Sequence, residues 1–175
     1  LISPKLYQKM SSTEILPSSI ILNPEDRKFP EFSLTKLLHS VFDPTEGCRI
    51  CIITDFEEPS KEIMGFEFLQ SPEKFAVQVK AYEEFFCKLK DGVMKELGMS
   101  GGEMFAYHAT NGSNLDMKDE CFGVDGSVLS LDQNIYPEYD IILCISDWSA
   151  TAPLTAKCKD FGFRGATMHG LNDII

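Results

Sequence analysis

An α/β fold with a mainly parallel β-sheet flanked by helices, a three-layer and Rossmann-like arrangement preceded by an extended N-terminal arm, is what this 175-residue sequence predicts. Three observations carry that expectation. Short apolar runs bounded by Gly or Asp, RICIITD from Arg49 and DIILCIS from Asp140, have the continuous hydrophobicity of strands buried on both faces. Segments with helical spacing separate such runs, and strands alternating with helices favour a parallel sheet. A composition that is 43% hydrophobic and 11% aromatic supplies one domain of this length with a sizeable core.

Residues 1–32 read as the arm, because Pro4, Pro17, Pro24 and Pro30 stand among serines and IILN at residues 20–23 is its one apolar patch. Residues 33–175 read as a single α/β domain. In SLTKLLHSVF, Leu34, Leu37, Leu38 and Phe42 fall at helical spacing behind Ser33, a suitable N-cap. EGC then leads into RICIITD, the expected central strand. SPEKFAVQVKAYEEFFCKLKDGVMKELG predicts a long helix capped at Ser71, with Pro72 in its first turn and a left-handed exit at Gly98. Its apolar stripe, Phe75, Val79, Tyr82, Phe86, Leu89, Val93 and Leu97, would lie on the sheet, with Gly92 as the place where it bends. After a GG turn, EMFAYHAT from Glu103 predicts a strand. NGSNLDMKDECFGVDGS predicts a long irregular loop, the kind of segment that often carries function. DIILCIS is the next strand, TAPLTAKCKDFG a helix stopped by Gly162, and FRGATM the last strand.

Sixteen basic residues against twenty-seven acidic ones leave a net charge of -11. With no basic patch to override it, that balance repels phosphate backbones and anionic lipid, which excludes nucleic acid and membrane surfaces as expected partners. No apolar run reaches the length of a membrane span and no signal sequence precedes a cleavage site. The six cysteines sit in strand-like or helical apolar runs, apart from Cys121, as reduced thiols of a cytoplasmic protein would. Cys48 and Cys51 have CxxC spacing, but on a strand positions three apart point to opposite faces, so their sulfurs should diverge.

In an open parallel sheet ligands bind beyond the carboxyl ends of the strands. Three strand ends here are polar: Thr54 with Asp55, Ser146 with Asp147 and Ser149, and Thr167 with His169. Asp55, Ser146, Asp147, Ser149, Thr167 and His169 are therefore the candidate ligand-binding residues. The amides opening the helix after Ser149 could receive an anion. The simpler reading is that Ser149 and Thr151 cap that helix and Asp55 merely ends its strand. Of the three histidines only His169 falls at this rim. A dinucleotide site would need glycines at the first strand-to-helix turn, which instead reads TDFEEPSKE, with four acidic residues and no glycine.

EGCRICIITD, a long helix and then YDIILCISDWSATAPLTAKCKDFGFRGATMHGLNDII, in that order, resemble the amino-terminal α/β domain of metallo-aminopeptidases of the aminopeptidase T (leucyl aminopeptidase II) type. The likeness lies in the strand ending in TD, the Ser/Thr-rich turn before a helix, and the strand ending in an ATM turn. His169 stands where the family pattern has proline, and the loop from Asn111 to Ser130 has no counterpart. The resemblance implies a scaffold that frames a peptide cleft or a subunit interface. The family's Glu, His, Tyr and Asp metal ligands belong to a following carboxyl-terminal domain, so none is carried onto this chain; zinc or cobalt, peptide substrate and hydrolysis would come with that domain. The chain's opening on Leu1 and its close on Ile174 and Ile175, an apolar pair at the start of a helical pattern, fit the same expectation of a domain from a longer chain. A homodimer, an interaction subunit, and a stand-alone module holding a small polar ligand at the sheet rim are the other expectations.

Overall fold

The computed structural model describes residues 30–171. The chain divides into two units, Leu1–Glu31 and Phe32–Ile175, and every element described belongs to the second. The expected N-terminal arm lies, up to residue 29, outside the described residues.

Six strands form one sheet: β1 (Arg49–Phe56), β2 (Ser100–His108), β3 (Glu120–Gly123), β4 (Val128–Ser130), β5 (Ile141–Ser146) and β6 (Arg164–His169). Their spatial order is β4-β3-β2-β1-β5-β6. The four strands β2-β1-β5-β6 run parallel, and β3 and β4 add an antiparallel hairpin at the β2 edge. The fold is thus α/β with a mixed, mostly parallel sheet. β1 is the central strand, buried from Ile50 to Phe56, as its unbroken apolar run requires.

The helices are α1 (Leu34–Phe42), α2 (Pro59–Glu62), α3 (Ala76–Lys80), α4 (Met94–Glu96) and α5 (Thr151–Phe161). In α1 the Ser33 hydroxyl accepts from the Lys36 amide at 3.3 Å, and Leu34, Leu38 and Phe42 are buried, as their spacing predicts. Between α3 and α4 the helix continues through wide i→i+5 turns at Ala81–Cys87 and Leu89–Val93, broken at Gly92, whose φ of 142° is not helical. Those wide turns change which face is buried. Val77, Ala81, Phe85 and Leu89 line up four apart against the sheet, because a turn with more residues keeps such positions in register. Val79, Tyr82, Phe86, Val93 and Leu97 of the expected stripe are only half-buried beside them.

One core cluster, with Leu38, Ile52, Phe56, Phe68, Phe85 and Leu143, is covered by α1 and the long helix. The other, with Cys51, Ile53, Tyr107, Leu131, Cys144 and Leu154, is covered by α5 and a one-turn helix at Leu131–Ile135. Cys48 belongs to the first cluster and Cys51 to the second, so the CxxC sulfurs do point apart, and all six cysteines carry free thiols. Gly101 and Gly102 are not a turn: they lie inside β2, where the register with β1 shifts between Ile50 and Cys51. Gly101 has φ +86° and a Cβ there would stand 2.6 Å from the Ile50 carbonyl oxygen, so this bulge requires glycine. The expected irregular loop after Asn111 is also shorter than the sequence suggests, because β3 and β4 form within it. No described helix is long and apolar enough to cross a membrane.

Candidate functional site

After β1 the chain crosses to β2 on one side, and after β5 it crosses through α5 to β6 on the other. The connections therefore diverge between the carboxyl ends of β1 and β5, where an open α/β sheet has its crevice. Asp55 and Asp147 meet at this point. The Asp55 carboxylate accepts from the Asp147 amide at 2.8 Å and the Trp148 amide at 3.2 Å, so the end of β1 holds the turn that leaves β5. Gln78, from the long helix, closes the cluster: its Nε2 donates to the Asp55 carbonyl (2.8 Å), to Asp55 Oδ1 (3.3 Å) and to Asp147 Oδ2 (2.8 Å).

Asp55 is 1% exposed. Burial is the main cause that pushes its carboxyl up to about 6, helped by the nearby Asp147 charge and opposed by the two amides that favour the ionised form. Asp147 and Trp148 are exposed beside it. Two buried polar atoms in this region, Gln78 Oε1 and Thr54 Oγ1, have no hydrogen-bond partner among the described residues.

The other candidates fall into a second group or stand alone. The Ser146 hydroxyl donates to the Trp148 carbonyl at 2.7 Å and so stiffens the same turn. Ser149 Oγ contacts Asn114 Oδ1 at 3.3 Å and Thr151 Oγ1 at 3.1 Å, and Thr151 Oγ1 lies 2.6 Å from Thr167 Oγ1. At the start of α5 the N-cap position is Ala150, which has no capping side chain; Asn114 reaches over instead, and its Oδ1 accepts from the Ala152 amide at 3.0 Å. The amides expected to receive an anion are thus engaged by the chain's own loop. His169 is exposed and its side chain makes no hydrogen bond among the described residues. Its strand is one place removed from the β1/β5 crevice, so the structure does not bring it to Asp55.

Sequence reasoning missed Gln78 and Asn114. Gln78 is the one polar residue of FAVQV, set on the buried side of the helix, and that break in an apolar run was its only signal. Among the described residues no group of three or more His, Cys, Asp or Glu side chains is arranged to hold a metal ion. No family model, curated protein or solved structure matches this chain.

The Gln78 amide stands between two carboxylates, and its removal is expected to be felt. Gln78→Leu should lower stability at pH 7 by about 2 kcal/mol, since the loss of hydrogen bonds to charged acceptors outweighs the relief of removing the unpartnered Oε1. Urea unfolding measures this; an unchanged midpoint would show that the cluster contributes nothing.

Proposed function

We propose that this chain is a non-catalytic scaffold domain of a cytoplasmic, aminopeptidase-like metalloprotein, a three-layer Rossmann-like body that frames a peptide cleft or a subunit interface. The observation that supports it best is the closed polar rim. Asp55, Ser146, Ser149 and Thr167 spend their polar atoms on protein partners, which suits a frame better than an acid and base addressing a substrate. The TD and ATM strand ends add the resemblance. Zinc or cobalt does not fit the described residues, so in this reading metal and peptide hydrolysis belong to another domain of the full-length protein.

Calorimetric titration with Zn²⁺ and Co²⁺, and an assay on peptides with free amino termini, should show neither stoichiometric metal binding nor hydrolysis by this chain. Either one overturns the proposal. The native protein should also exceed 19.6 kDa and carry a Glu, His, Tyr and Asp ligand set beyond Ile175; a native mass equal to 19.6 kDa would count decisively against it.

A second reading, a module holding a small polar ligand at the same rim, is favoured by the buried, unpartnered Gln78 Oε1. It requires a ligand in a thermal-shift screen whose effect disappears in Asp147→Ala.

A further inference from the structure

At one edge of the sheet β6 has β5 on one side and no described strand on the other. In a parallel ladder a residue turns its N–H and C=O to one side and the next residue turns them to the other. The amides of Arg164 and Gly170 bond the carbonyls of Asp140 and Ser146, so the even-numbered residues of β6 serve β5. Gly165, Thr167 and His169 face outward, and their backbone groups have no partner among the described residues. Such edges are ordinarily blunted by brevity, a bulge, a lysine or a proline. β4, at the opposite edge, is three residues long. β6 runs six residues in unbroken register with β5 and holds neither lysine nor proline.

The order of side chains along RGATMH fits a second copy of itself. Placed antiparallel about Thr167, Gly165 pairs with the partner's His169 and Thr167 with the partner's Thr167, and each pair exchanges both of its hydrogen bonds. Any other hydrogen-bonded register leaves at least one of the three outward residues unpaired. Small side chains then meet large ones. On the α5 face, where the Thr167 hydroxyl touches Thr151, Gly165 lies opposite the imidazole, and a cleft of about 80 Å³ walled by Leu154, Cys158 and Phe163 leaves room for that ring. On the other face Ala166 lies opposite the partner's Met168, both half-buried against the first core cluster. Thr167 meets itself, a favourable cross-strand pair. Charge permits the approach. The chain carries 27 acidic residues, yet none lies between Phe161 and Leu171, and Arg164 falls opposite the partner's Gly170.

We infer that β6 is a homodimer contact: two copies of this chain join edge to edge through an antiparallel β6 pair, and the six-stranded sheet of each continues into the other. His169, which the rim around Asp55 does not use, has its place in that contact. The inference goes beyond the scaffold reading and does not depend on it, since a monomeric chain would leave the metal and peptide tests untouched.

The test is sedimentation velocity of this chain from about 1 μM to about 1 mM, with amide hydrogen exchange read at the same concentrations. A shift from the 19.6 kDa monomer to a species of twice that mass is expected as concentration rises. The amides of Gly165, Thr167 and His169 should exchange more slowly as the dimer fills, whereas those of Ala166 and Met168, turned to β5, stay protected throughout. Thr167→Pro removes an N–H that β5 does not use, and Thr167→Lys sets two ammonium groups opposite each other. Each should weaken dimerisation at least about tenfold while the pairing with β5 is kept. Three results would overturn the inference: a single 19.6 kDa species at every concentration, a dimer that persists undiminished in both Thr167 variants, or a dimer in which the three outward amides exchange as fast as in the monomer.

Discussion

Stability against urea is expected to fall by about 3 kcal/mol through Asp55 alone as pH rises from about 4 to about 6. The folded carboxyl is pushed up to about 6 from an ordinary 3.8, so across that window the native protein keeps a proton that the unfolded chain has released. Where the native state binds more protons, stability decreases with increasing pH. The contribution is fully present below about pH 4 and gone above about pH 6. Burial is what sets this direction, since the two amides from Asp147 and Trp148 pull the other way. Unfolding midpoints taken at half-unit steps, in the native protein and in Asp55→Asn, isolate the effect. Matching slopes in the two proteins would show that Asp55 titrates as an ordinary carboxylate.

Phe68→Ala is expected to cost about 4 kcal/mol, within the range for emptying a large aromatic site in a packed core. Phe68 is 1% exposed, and its ring centroid lies 5.3 Å from Phe56, 6.2 Å from Tyr82, 6.3 Å from Phe66 and 6.5 Å from Phe75. Phe66 is itself held at a φ of 61°, unusual for a residue with a Cβ, so the surrounding chain has little freedom to fall into the space. Phe68→Leu should cost well under half as much, because most of the volume is kept. Calorimetric or urea unfolding of the pair decides it: equal, small losses would mean that the site collapses around the deletion.

The buried centre of this fold was legible in the sequence and its edges were not. RICIITD and DIILCIS could be placed because a strand covered on both faces needs an unbroken apolar run, and Ser33 announced α1 by offering its amides a cap. β3 and β4 are four and three residues long, too short for periodicity to register. Their signal was the Asp125-Gly126 turn with Gly126 at φ +83°, and that of the Leu131–Ile135 helix was Ser130 followed three residues on by Gln133, whose amide bonds the Ser130 hydroxyl at 2.9 Å. At the site, Asp55 and Asp147 followed from strand ends. Asn114 did not, because its partner amide lies thirty-eight positions away and no local pattern encodes such a contact. His169 was drawn to the rim by its place after a strand, although lateral strand order, which no local motif carries, sets it aside.

The central position of β1 also fixes an order of events during synthesis. Ile50 has Gly101 beside it on one edge and Ile141 on the other. A chain made from its amino terminus therefore offers its central strand long before the second neighbour exists, and the Asp55 contacts to Asp147 and Trp148 are among the last to form. Both pairings close long loops, which slows assembly, and during the interval the β5-facing edge of β1 is an open template for another chain. A nascent chain from which β5 (Ile141–Ser146) has not yet emerged should consequently be a sticky intermediate.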